Sequence, residues 1–355
     1  MKEVVNAKYF LGSNTKRGFV PLFDKLKDPE KGHRFYILKG GPGSGKSTLM
    51  RRIAETLKKQ NHFIEYMPCA SDPESLDAIY DHDAGVVIVD GTAPHILDPD
   101  YPGAYDMIIN LGEARSTAPI KQKRQEIIEL NHEISGCHKK ATACIKAAAS
   151  LLDNNRLIAK KYLDHEAVSK FLADMEKKLE GAAAGRESHR LLSAVTVGKT
   201  LFFADTIASL CPEVYSIEDE WGGLSETVLA KIREFAIGRN LALITCYCSI
   251  STPDKIDHIL FPSIGLAIST ANTYHKVDTE NTIKAEDLMK AIKSYDLESM
   301  KKHAGLAKEL INLAGEHVAK AKALHDKLEK YYISAMDYNK VEEIYQRLIA
   351  DIFEK

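Results

Sequence analysis

Residues 40–48 read Gly-Gly-Pro-Gly-Ser-Gly-Lys-Ser-Thr, an order of residue types that points to phosphate chemistry. Gly40, Gly43 and Gly45 let the backbone take conformations that a Cβ forbids, so that successive N–H groups can converge on one oxyanion. A helix starting at about Ser47 adds unsatisfied N–H groups and a positive dipole end. Lys46 then reaches the β- and γ-phosphates, and the Ser47 hydroxyl ligates Mg²⁺. Gly41, Pro42, Ser44 and Thr48 complete the stretch expected to touch a nucleoside triphosphate. The context agrees with the motif: the apolar run Arg34–Lys39 precedes it and the helical pattern LMRRIAETLKK follows it.

Such a loop needs a second carboxylate at the end of a neighbouring buried strand, to hold Mg²⁺ directly or through water. Residues 86–90, Val-Val-Ile-Val-Asp, supply it as Asp90. Lys46 and Asp90 are therefore the expected catalytic pair, with Ser47 and Asp90 on the metal side. Asp90 is followed by Gly91, so the adjacent glutamate that activates water in many ATPases is missing. Glu65, Asp72, Glu74 and His95 are the remaining candidates for that role. Arg17, Arg115, Arg190 and Arg239 are candidates for positive charge at the γ-phosphate.

The elements that position these residues alternate strand and helix. A helix to about Lys59, a strand near Phe63–Met67 and a short helix entered at Ser71-Asp72-Pro73-Glu74 separate the two motifs. This alternation predicts an α/β fold, a P-loop NTPase parallel sheet with helices on both faces. The length of 355 residues favours two domains, and an internal repeat supplies them. Residues 72–98 lie over 252–278 without a gap, pairing Pro73 with Pro253, Asp77 with Asp257, Ile79 with Ile259, Gly85 with Gly265, Ile88 with Ile268, His95 with His275 and Asp98 with Asp278. In the second copy Ser225 stands for Lys46, Glu226 for Ser47 and Thr270 for Asp90. Glu218, Asp219 and Glu220 add negative charge that repels a triphosphate.

Each copy ends in a helical arm with apolar and small residues at 3–4 spacing, first from Ile127 to Leu151 and then from Ala307 to Leu328. The first arm is expected to turn at Asp153-Asn154-Asn155 and the second near Asp337-Tyr338-Asn339. The arms pack against each other or against a second copy, so a homo-oligomer or a protein partner is expected to use them. The domains predicted are residues 1–115 (live site), 116–185 (arm), 186–290 (degenerate site) and 291–355 (arm).

Hydrophobic residues make up 45% and charged residues 28%, which excludes disordered and low-complexity classes. A net charge of −2 provides no drive toward nucleic acid or anionic membrane, and neither is an expected partner. The first ten residues carry no apolar leader, no apolar run is long enough to cross a bilayer, and a cytoplasmic chain is expected. Cysteines 69, 137, 144, 211, 246 and 248 contain no C-x-x-C pair, and Cys246 and Cys248 read as buried core thiols.

GGPGSGKSTL, CASDPESLDAI and VVIVDGTAPH, taken with the tandem repeat, resemble a family of bacterial P-loop ATPases found mainly in Gram-positive organisms. The resemblance covers essentially the whole chain and implies the fold and an ATP–Mg²⁺ ligand, with little about substrate. In relatives the second half often looks like a second P-loop, which this sequence departs from. The leading expectation is a slow or partner-stimulated ATP hydrolase with one live and one degenerate site. A small-molecule or nucleotide kinase is the first alternative, with Arg115, Lys121, Lys123 and Arg124 as a thin basic cluster after the core. The second is a non-enzymatic, nucleotide-gated assembly or regulatory protein. The chain has no N-K-x-D guanine-reading motif, which tilts the nucleotide toward ATP.

Overall fold

A computed structural model describes residues 6–354. Part of the segment read above for a leader, residues 1–5, lies outside the described residues. The first unit contains β1 (Ala7–Lys8), the hairpin β2 (Gly12–Thr15) and β3 (Gly18–Pro21), β4 (Arg34–Lys39), α1 (Lys46–Lys58), β5 (Ile64–Pro68), β6 (Leu76–Asp81), β7 (Val86–Asp90) and β8 (Asp106–Asn110). Its arm follows as α2 (Thr117–Gln122), α3 (Arg124–Lys160) and α4 (His165–Lys178). The second unit contains β9 (Glu187–Arg190), the hairpin β10 (Ser193–Val195) and β11 (Thr200–Phe202), α5 (Ala204–Leu210), β12 (Glu213–Glu218), α6 (Gly223–Gly238), β13 (Leu243–Tyr247), β14 (Ile256–Phe261), β15 (Leu266–Ala271), β16 (Asn281–Lys284) and α7 (Ala285–Leu288). Its arm is α8 (Ser294–Ile333) and α9 (Tyr338–Phe353).

The two six-stranded sheets run β1-β5-β6-β7-β4-β8 and β9-β13-β14-β15-β12-β16, the same order element for element. Both are mixed sheets, which corrects the expectation of a parallel one. β7, β4 and β8 are mutually parallel, whereas β6 runs antiparallel to both β5 and β7. β14 repeats that reversal between β13 and β15. The expected short helix at Ser71–Glu74 is instead a turn, closed by hydrogen bonds from Asp72 N to Cys69 O and from Ser75 N to Asp72 O. Pro73 and the acidic residues that signal a helix start equally serve a tight turn. The Leu76–Asp81 run behind them is a buried strand.

β4 and β7 bury nearly every side chain, as strands covered on both faces must. α1 turns Leu49, Met50, Ile53, Ala54 and Leu57 inward, and α6 matches this with Val228, Leu229, Ile232 and Ala236. The loops ahead of these helices differ in length. Gly40–Gly45 is six residues and Asp219–Gly222 is four, so α6 begins earlier relative to its buried face than α1 does.

The arm helices depart from their sequence pattern at one point. α3 runs unbroken through Asp153–Asn155 to Lys160, because Asn155 is buried and its Nδ2 donates to Met300 O of α8 at 2.8 Å. The second arm turns where expected, with Asp337 capping α9 through the Asn339 and Lys340 amides. α3 and α8 pack antiparallel along a seam of small residues in which Ala141, Ile145 and Ala148 meet Ala307, Ile311 and Ala314, while Cys137 meets Ala321 and Leu324.

Each arm then packs on the opposite unit. The α4 residues Val168 and Met175 join the core of α6, whereas Val341, Ile344, Tyr345 and Leu348 of α9 join the core of α1. Arg34 on β4 donates to the carbonyls of Asp351 and Ile352, and Tyr36 donates to Asp351 Oδ2 at 2.5 Å. All six cysteines are free, and burial pushes the Cys246 thiol well above its ordinary value. Among the described residues no helix is long and apolar enough to cross a membrane.

Candidate functional site

The glycine-rich loop emerges from the buried end of β4 and enters α1 at Gly45, whose φ of +87° only glycine adopts without strain. Gly43 is also left-handed, at +64°. The loop is packed closely: a Cβ on Gly40 would lie 2.6 Å from Ser44 Oγ, one on Gly41 2.7 Å from Arg115 Nη1, and one on Gly43 2.7 Å from Ile333 Cγ1. Lys46 folds back over the loop and donates to Gly40 O at 3.1 Å and Gly41 O at 3.0 Å, with Asp90 Oδ2 3.6 Å away. Ser47 Oγ accepts the Leu76 amide at 2.9 Å. Asp90 sits at the end of β7 beside β4, and its Oδ1 accepts the Thr92 amide and hydroxyl at 2.8 and 2.5 Å. Lys46 and Asp90 thus meet beside the loop, Ser47 follows in the first turn of α1, and Thr48 is exposed on that helix.

Asp77 lies beside Asp90 and was not among the expected site residues. Its position next to the Ala78–Val89 pair sets it opposite Asp90 across an antiparallel ladder, where side chains share a face. Burial and the Asp90 charge push its carboxyl well above the ordinary value. His95 Nε2 lies 3.4 Å from Asp77 Oδ2, and the ring packs between Phe19 and Phe23. Burial holds His95 down to about 4, so it is neutral at pH 7. The repeat carried the signal that could have found Asp77, since Asp77 and His95 match Asp257 and His275. Those two residues also approach each other, at 3.9 Å. Because the pair recurs where Lys46, Ser47 and Asp90 have no counterpart, it reads first as a packing element of this fold.

Arg115 is the one arginine candidate brought to the loop. Its guanidinium lies against Gly41 and 5.5 Å from the Tyr332 ring centre, and its buried Nε has no hydrogen-bond partner among the described residues. Arg17 pairs with Asp254, Arg190 is buried against Glu65, and Arg239 lies over Phe235. The carboxylate candidates are also engaged elsewhere. Glu65 holds Arg190 and His82, Asp72 pairs with Lys322 at 3.4 Å, and Glu74 is exposed.

The second unit closes its shorter loop from within. Asp219, 1% exposed, accepts the amides of Trp221, Gly222 and Ser225 at 3.2, 2.9 and 2.7 Å. A side-chain carboxylate occupies the position where convergent amides would receive an anion. Ser225 is fully buried inside α6, and Glu226 pairs with Arg156 and Lys160 of α3. Relative to Gly40–Gly45 this loop is two residues shorter, and three of its amides are held by Asp219.

Residues 20–80, which include the glycine-rich loop, match the family described as Nephrocystin 3, N-terminal. No curated protein and no solved structure matches the chain.

Proposed function

We propose that the first unit is a P-loop site for ATP and Mg²⁺ that hydrolyses the terminal phosphate slowly, and that the second unit is a degenerate copy serving as its in-chain partner. The observation carrying this reading is the Gly40–Gly45 loop opening into α1 with the Lys46 ammonium 3.6 Å from the Asp90 carboxylate. The donors on the metal side, a hydroxyl and a carboxylate, are the hard oxygens that suit Mg²⁺. Ser47 and Asp90 would hold the ion, which would supply charge neutralisation for the phosphates.

Among the described residues Lys46 has backbone carbonyls and Asp90 as partners, which phosphate oxygens can replace. Arg115 brings a second positive charge to the same loop from within the chain, supporting stabilisation of charge that develops on the transferred group. The water-activating position after Asp90 is Gly91, and His95 is neutral and buried, which supports slow turnover over rapid hydrolysis. Calorimetric titration of ATP with Mg²⁺ tests the reading. One site per chain is expected, with affinity at least tenfold weaker in Lys46→Ala; unchanged affinity in that variant would exclude the site.

A further inference from the structure

The loop amide of Gly43 donates to Glu329 Oε1 at 3.1 Å, and Glu329 belongs to α8, the arm that departs from the second unit. The contact extends beyond one hydrogen bond. A Cβ on Gly43 would meet Glu329 O at 3.1 Å and Ile333 N at 3.4 Å, so the last turns of α8 lie directly on the loop. The second unit repeats this arrangement with the other arm: a Cβ on Gly223 would meet Arg156 O at 3.0 Å and Lys160 N at 2.9 Å of α3. There the helix presents Arg156 and Lys160, which pair with Glu226, and the loop amides go to Asp219. A carboxylate reaching in from an arm is therefore particular to the loop that carries Lys46.

On its own helix Glu329 Oε1 lies 3.9 Å from His325 Nδ1, one turn back. Toward the loop it makes a charge-assisted bond to the Gly43 N–H, the kind of group that a phosphate-binding loop offers to its anion. One N–H serves one strong acceptor, and a carboxylate beside a phosphate adds like-charge repulsion.

We propose that Glu329 and a nucleotide phosphate compete for the Gly43 amide, so that occupancy of the first unit's loop releases the end of α8. The inference rests on the nucleotide reading above and names how that site is regulated. The far part of α8 stays fixed to the second unit through Gly198 N, which donates to Gly315 O at 3.0 Å, and through Val195 and Ile250 packed on Ala307, Ile311 and Val318. The helix is thus anchored at one unit and sensed at the other, giving release of its end a route to the second unit and the α3 seam.

The test uses the full-length chain and two readouts. Calorimetric titration with ATP and Mg²⁺, and separately with pyrophosphate, should show Glu329→Gln and Glu329→Ala binding about three- to tenfold more tightly than wild type, with unchanged melting temperature or a small rise. Hydrogen exchange on wild type should show that ATP slows residues 40–48 and speeds residues 325–336, a reciprocity that linkage demands. Unchanged or weaker affinity in both folded variants, or no change at 325–336 on binding, overturns the competition. If wild type binds neither triphosphate nor pyrophosphate, the nucleotide reading itself fails and takes this inference with it. Normal wild-type binding with unaltered Glu329 variants removes the competition alone.

Discussion

Arg190 and Glu65, 125 positions apart, form an ion pair at 2.9 Å with side chains 3% and 4% exposed. The pair ties β9 of the second sheet to β5 of the first. Beside it Phe10 and Leu191 exchange backbone hydrogen bonds at 2.8 and 3.1 Å. The units are therefore joined by a buried charge as well as by shared apolar core. Arg190→Ala leaves Glu65 buried with His82 in place of a full guanidinium partner, so a loss of about 3 kcal/mol is expected. Urea unfolding of the variant measures it. A loss under about 1 kcal/mol would mean that the charge finds water or another partner.

Acid should destabilise the protein in two stages. Burial holds His95 near 4, against an unfolded value of about 6.5. Between these values the unfolded chain binds a proton that the folded chain refuses, so stability is complete above about 6.5 and falls as pH drops toward 4. His258 and His275, also pushed down by burial, act in the same direction. Glu65 acts at lower pH. Burial alone would raise its carboxyl, but Arg190 and His82 outweigh that and hold it at about 2. Its contribution is present above its unfolded value of about 4.3 and is lost from there down to 2. Asp77, whose carboxyl burial pushes up, takes a proton in the folded chain and opposes this loss, so the test is the comparison: melting temperatures from pH 7.5 to 4 should fall less steeply in His95→Gln than in wild type.

Asp219→Ala removes the acceptor of three amides at the start of α6. Leaving such groups unpaired costs about 2–4 kcal/mol in all. The exposed amides do not recreate a triphosphate site, because Ser225 and Thr270 supply no lysine or metal carboxylate. Denaturation should register the loss while nucleotide stoichiometry stays at one per chain. A second equivalent bound by this variant would show that Asp219 alone blocks the degenerate loop.

Two substitutions separate roles within the proposed live site. Asp90→Asn should weaken the dependence of ATP binding on Mg²⁺ and reduce turnover at least tenfold, read by phosphate release at varied Mg²⁺. Arg115→Ala should lower kcat roughly a hundredfold or more with little change in KM, as expected of a cation that acts on developing charge. If both constants stay at wild-type values, Arg115 serves only to pack against Tyr332.

Much of the site was legible in the residues themselves, because its parts are local. Gly43 and Gly45 take left-handed backbone within their own loop, Lys46 opens the helix that its spacing implies, and Asp90 ends a strand that four β-formers announce. The repeat was legible for the same reason, since unit-length self-similarity is a property of the chain. Errors arose where one local signal served two structures. Pro73 and its acidic neighbours close a turn ahead of β6, and Asn155 continues a helix because a carbonyl of α8 accepts its amide.

The amino-acid sequence by itself determined the loop, the α/β alternation, the duplication and the loss of lysine, serine and aspartate in the second copy. Tertiary structure alone decided that β6 and β14 run antiparallel, that each arm packs on the opposite unit, that Asp219 fills its own loop and that Glu329 reaches Gly43. Periodicity and motif spacing depend on neighbours a few residues away, which a linear reading contains. Asp219 meets amides only two to six residues away, but the other three relationships depend on which distant surfaces bury each other, and the Gly43–Glu329 contact spans 286 positions.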